Sequence, residues 1–145
     1  MASTLNGVAN RIEVIVEALI PPSKSQVPYR RIDGRKLDKD RMFGFPSIGR
    51  EWDFYLKENA GLAAVRAAFS MQLRLHVSGL GDRSAFEAVN DEVVLIANTI
   101  NTGTGWPSGA RSVAVNTAET EEADSGNILV NFACEAEIEE TDGVT

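Results

Sequence analysis

From Phe69 to Ser78 every second residue is apolar. Phe69, Met71, Leu73, Leu75 and Val77 alternate with Ser70, Gln72, Arg74, His76 and Ser78. Ten residues at period two predict a β-strand with one dry face and one wet face. A dry face needs a cover, and the chain carries two segments built to provide one. Leu5, Val8, Ile12, Ile15 and Leu19 recur at steps of 3, 4, 3 and 4, as do Phe86, Val89, Val93, Ile96 and Ile100. Each set forms one stripe on a helix of 3.6 residues per turn. Ser3 or Thr4 suits the first N-cap, Asp82 or Ser84 the second, and Pro21-Pro22 stops the first helix.

The C-terminal third adds two strands. Val113 and Val115 share one face of 111–118. The last strand sets Ile128, Val130, Phe132, Cys134, Ala136 and Ile138 against Asn131, Glu135, Glu137 and Glu139. A polar turn is expected over 119–127, and a Gly-rich loop holding Trp106-Pro107 over 102–109. Trp106 is expected over the end of the second helix or at a subunit contact. Residues 62–68 are alanine-rich and read either as a helical turn or as an early extension of the central strand.

Residues 21–61 are the least regular part. Val27 to Ile32 suits a strand, Asp33-Gly34 a turn, and Trp52, Phe54 and Leu56 a further short strand. The segment is read as an extended arm or hairpin, with a frayed tail at 140–145. The fold class expected is α+β. It is a two-layer, mostly antiparallel mixed sheet with both amphipathic helices on one face and a long β-hairpin arm. At 145 residues this is expected to be one domain.

Charge is unevenly placed along the chain. After Arg111 there is no Lys or Arg, yet nine of the 21 acidic residues follow it. Residues 24–41 do the reverse: Lys24, Arg30, Arg31, Arg35, Lys36, Lys39 and Arg41 are seven of the 14 basic residues. Three readings fit the basic stretch: a solvated loop, contact with an acidic neighbouring subunit, or contact with nucleic acid. A net charge of −7 argues against general nucleic-acid binding. Glu135, Glu137 and Glu139 share one side of a strand, where like charges repel unless solvated or faced by a basic partner.

Motifs for chemistry are weak. His76 is the only histidine and has no cysteine beside it to share a metal, so a solvated or interface role is expected. Cys134, the lone cysteine, falls on an apolar strand face and reads as core. Gly79-x-Gly81 and Gly103-Thr104-Gly105 match no phosphate-loop pattern and read as turns. Glu51, Asp53 and Glu58 with Lys57 read as solvated charges rather than a metal nuclease site. No catalytic residue, metal or cofactor is expected. Neither a signal peptide nor a membrane span is expected, which makes a soluble protein of a cytoplasm the default.

These segments together resemble the tail terminator (tail completion) proteins of long-tailed bacteriophages and the related small neck proteins. The resemblance rests on the opening helix, on Met71-Gln72-Leu73-Arg74-Leu75-His76-Val77 as central strand, and on Phe86-Glu87-Ala88-Val89-Asn90-Asp91-Glu92-Val93 as the start of the next helix. The Trp106 loop, Ser112–Ala118 and Asn127–Ile138 look like the closing hairpin. It covers most of 3–20 and 66–139. It implies a non-enzymatic subunit of a homo-hexameric ring in the virion, assembled in the host cytoplasm. Such a ring caps the tail tube, ends its polymerisation and meets the head–tail connector or neck protein on its other face, with passing contact to DNA. A neck or head-completion protein of similar fold, or a small nucleic-acid-binding module using 24–41, are the alternatives. On the ring reading, Arg30, Arg31, Arg35 and Lys36 are expected to reach a neighbour's Glu135, Glu137 or Glu139.

Overall fold

The computed structural model describes residues 3–19, 41–46, 49–57, 62–77, 79–122 and 127–140. The elements are α1 (Thr4–Leu19), β1 (Arg41–Gly44), β2 (Glu51–Lys57), β3 (Leu62–His76), α2 (Asp82–Asn101), β4 (Ala110–Glu122) and β5 (Asn127–Glu140). The five strands form one sheet in the order β1-β3-β5-β4, with β2 beside β1 on the same edge of β3. Every pairing is antiparallel, so the expected parallel component is absent from the described sheet. The α+β architecture is as expected, with two helices against one face of an antiparallel sheet.

The alternation that predicted β3 decides the core. Met71, Leu73 and Leu75 stand opposite Phe132, Val130 and Ile128 of β5, and these rows share the helix side. Val8, Ile12, Ile15 and Val16 of α1 and Ile96 and Ile100 of α2 close over them. The alanine-rich run is strand rather than helical turn. Ala64 and Ala67 are buried in β3, and Ala67 pairs with the equally buried Ala136. α1 packs over β5 and β4 and against α2. Its start is capped as expected, with the Ser3 hydroxyl accepting the Leu5 N–H at 3.1 Å.

Several expectations change. Neither Asp82 nor Ser84 caps α2. Gly81 stands at the N-cap without a side-chain bond, and Asp82 lies in the first turn, where its charge suits the positive helix end. Phe86 belongs to the predicted stripe but is 69% exposed. The reason is length. The C-terminal residue Asn101 bonds Val115, which is level with Cys134 and Phe69 in the sheet. From there the remaining seven residues of β3 span about 23 Å. About 15 helical residues cover that distance, so Phe86 arrives at the end of the sheet.

The expected wet row of β3 is not uniformly wet. Gln72 and Arg74 are buried there, as is Leu129 opposite Arg74. At this level β3 has β1 on one side and β5 on the other. Gln72 donates its amide N–H to the Asn131 side-chain oxygen at 2.9 Å. The side chain of His76 and residues 21–40, including the predicted Val27–Ile32 strand and Asp33-Gly34 turn, lie outside the described residues.

In the described part of the expected arm, β1 and β2 do not pair with each other; both pair with β3. The fifteen-residue β3 is long enough to seat two short strands along one edge. The polar turn expected over 119–127 does not include Glu119 to Glu122, which continue β4 opposite Asn131 to Ile128. Ladder hydrogen bonds outweigh polar composition at an edge that faces water. Gly109 at the start of β4 has φ +96, and a Cβ there would lie 3.0 Å from the Glu139 carbonyl. That close approach, with the Glu139 N–H bonded to the Gly109 carbonyl at 2.9 Å, explains the glycine.

Burial separates two phenylalanines sharply. Phe132 is 0% exposed and Phe54 is 76% exposed. Phe132→Ala is expected to cost about 3–5 kcal/mol, whereas Phe54→Ala should change stability by no more than about 0.5 kcal/mol. Urea midpoints at constant m-value measure both, and comparable losses would contradict this core assignment.

Candidate functional site

The acidic row of β5 is built from alternation. Glu135, Glu137 and Glu139 project from the sheet face opposite the helices, because their neighbours Cys134, Ala136 and Ile138 point into the core. They do not stand as a bare repelling row. Register places Arg66 of β3 directly opposite Glu137. Its guanidinium lies 3.4 Å from Glu135 and 3.7 Å from Glu137. Arg111, in the irregular start of β4, lies 2.5 Å from Glu139. Tyr55 reaches across from β2 and donates its hydroxyl to Glu137 at 2.5 Å. Exposed pairs of this kind contribute about 0–1 kcal/mol each, so they order the face more than they stabilise the fold.

The bond to Glu137 raises the Tyr55 pKa above its usual 10.0, helped by partial desolvation and the nearby carboxylate charge. Arg66, Arg111 and Tyr55 were not singled out in the sequence. The one signal for Arg66 is its parity, since it shares the even positions with Arg74 rather than the apolar odd ones.

The other expected interface residues fall as follows. Arg30, Arg31, Arg35 and Lys36 lie outside the described residues. Trp106 packs at the end of α2 and against the core, donating its indole N–H to the Gly103 carbonyl at 3.0 Å. The Thr104 carbonyl accepts from Arg11 at 2.9 Å, and the Gly103 N–H donates to the Ile100 carbonyl at 3.1 Å, so the Gly-rich loop is tied to both helices. Cys134 is buried in the core, and burial pushes its thiol up to about 12. Among the described residues, no three His, Cys, Asp or Glu side chains gather as a metal site. Among the described residues, no helix is long and apolar enough to cross a membrane.

Among the described residues, exposed apolar side chains stand at both lateral edges of the sheet. On the β2 edge, Trp52 and Phe54 sit on the helix side of the sheet, opposite Ala67 and Val65, yet neither helix roofs them. Arg50 lies over the Trp52 ring at 4.6 Å. Beside them a groove of about 140 Å³ runs between Leu5, Asn6 and Ala9 of α1 and Phe45, Pro46, Arg50 and Phe69. On the β4 edge, the Asn101 side chain accepts the Val115 N–H at 2.6 Å and donates to its carbonyl at 3.2 Å. Both groups of Val115 point away from β5, so this amide closes part of the open edge. Val94 lies seven residues before Asn101, on the same flank of α2, and Phe86 is displaced toward the core side of it. Both are more than half exposed.

No protein-family model matches this sequence, and no curated protein matches it. The fold is similar to that of a chain in the solved structure titled "Virion of native gene transfer agent (GTA) particle". The TM-score is 0.62 at 8% sequence identity, and the match covers 97% of this chain and 100% of that one. At that identity the likeness is one of fold.

The Tyr55 contact has a measurable pH signature. Tyr29 and Tyr55 are the only tyrosines, so absorbance at 295 nm in a Tyr29→Phe protein isolates Tyr55. It should ionise above pH 10, and Glu137→Ala should return it toward 10.0. Because the folded-state value lies above the unfolded one, the stabilisation is whole below about pH 10 and is lost as pH rises through the folded value. An identical titration in the two proteins would contradict the bond.

Proposed function

We propose that this chain is a structural virion protein of a tailed, phage-like particle. Its copies form a ring that caps the tail tube, ends tube polymerisation and joins the tube to the head-side connector. The carrying observation is the fold likeness to a chain of a gene transfer agent virion, which spans both chains almost completely. The resemblance of the two helices, central strand and closing hairpin to tail terminators points the same way.

The surface chemistry supports this reading. A ring of identical subunits needs two different patches per subunit that fit each other. This chain has exposed apolar side chains at both lateral edges of one sheet. The work done is mechanical: each subunit supplies a rigid wedge, and the ring supplies two faces for the tube protein and the connector. The pairing of the basic stretch with β5 also belongs to this proposal. Arg30, Arg31, Arg35 and Lys36 would compete with Arg66 and Arg111 for the neighbour's Glu135, Glu137 and Glu139. The contact is therefore expected to be modest and salt-dependent.

Mass photometry across a concentration series tests the ring directly. The expected species is a closed assembly of six 15.7 kDa chains, about 94 kDa, seen as a ring by negative-stain microscopy. A chain that stays monomeric at its solubility limit and binds DNA with steep salt dependence would contradict the proposal and favour the nucleic-acid reading.

A further inference from the structure

We infer that the two apolar edges are the two halves of one head-to-tail contact. The Trp52–Phe54 shelf of one copy receives the Phe86–Val94 flank of α2 from the next. This rests on the ring reading above and specifies which surfaces meet.

Position is the first argument. The shelf lies on β2 at one margin of the sheet, and the flank overhangs β4 at the other. A contact between opposite margins can be repeated around a ring without using either surface twice. Exposure is the second. Phe54, Phe86 and Val94 are each more than half exposed, and Trp52 nearly so. Large apolar side chains grouped in this way mark contact sites rather than scattered surface residues.

Charge decides which surface meets which. Arg50 lies over Trp52, while Glu51 and Asp53 alternate to the other side of the sheet, so the shelf is apolar and positive. α2 carries Asp82, Glu87, Asp91 and Glu92 against Arg83 alone, and Arg83 is already paired with Glu87 at 2.7 Å. Shelf against shelf would face Arg50 with its own copy. Flank against flank would crowd carboxylates together. Shelf against flank sets Arg50 beside Asp91, whose carboxylate is not taken up by Arg83, the one complementary arrangement of the three. The groove between α1 and Phe45 continues the shelf and offers space for a side chain of the incoming helix.

Cysteine trapping distinguishes these arrangements. Cys134 is buried with its thiol at about 12, so the wild-type background is silent. Phe54→Cys and Phe86→Cys proteins are oxidised separately and as an equal mixture, then resolved on non-reducing gels, with circular dichroism confirming that each is folded. The expected result is a disulfide dimer in the mixture at least tenfold more abundant than in either protein alone. The Phe54→Cys/Phe86→Cys double variant should give a ladder ending in one closed species. Cross-linking within each single variant as strong as in the mixture would overturn the inference. So would a mixture without cross-links when mass photometry shows a ring, and in that case the ring reading survives. A chain that neither cross-links nor leaves the monomer at its solubility limit would overturn both.

Discussion

Fourteen consecutive residue pairs, from Ala63 opposite Glu140 to His76 opposite Asn127, join β3 to β5. This ladder is the constraint on which the rest depends. Its period of two sorts the two strands into a helix-facing row and an opposite row at once, so a slip by one residue would turn both rows inside out. With the register held, Phe132, Met71 and Ile138 present one continuous apolar surface, and the stripes of α1 and α2 have a single place to go. The opposite row inherits its order from the same register, which brings Arg66 level with Glu137 and within reach of Glu135.

The same geometry explains what stays uncovered. Two helices roof β4 and β5 and the adjoining part of β3, but β2 lies further out along the other margin. Trp52 and Phe54 therefore face the helix side without a helix above them. α2 runs to the end of the sheet, leaving Phe86 half-seated at its rim. The sheet reaches past the helices on the β2 side and α2 overhangs β4 on the other, so exposed apolar side chains stand at each margin, and the proposed ring would use both.

Much of this was legible in residue spacing, because spacing reports local geometry. The steps of 3 and 4 in α1 identified Val8, Ile12 and Ile15 as core, and alternation did the same for Met71, Leu73 and Val130. What spacing could not report was relative placement. Ala64 and Ala67 have no amphipathic pattern, so their strand state emerged only from pairing with β2 and β5. Arg74 has the look of a solvated residue, on the same even row as the exposed Arg66, and is 1% exposed. The partners of Glu135, Glu137 and Glu139 were invisible for the same reason, since Arg66 and Arg111 approach them through register rather than through sequence. Trp52 and Phe54 read as one face of a short strand, and the missing roof above them depends on where α1 ends up.

Hydrogen–deuterium exchange compared between dilute and assembled protein puts the central claim to its most direct test. If the two margins meet head to tail, peptides spanning β2 and peptides spanning residues 83–95 of α2 should gain protection together as the assembly forms. The β3–β5 ladder should stay slow in both states, because its protection is internal to each subunit. Protection confined to one margin, or assembly that leaves both margins exchanging as in the monomer, would contradict the account.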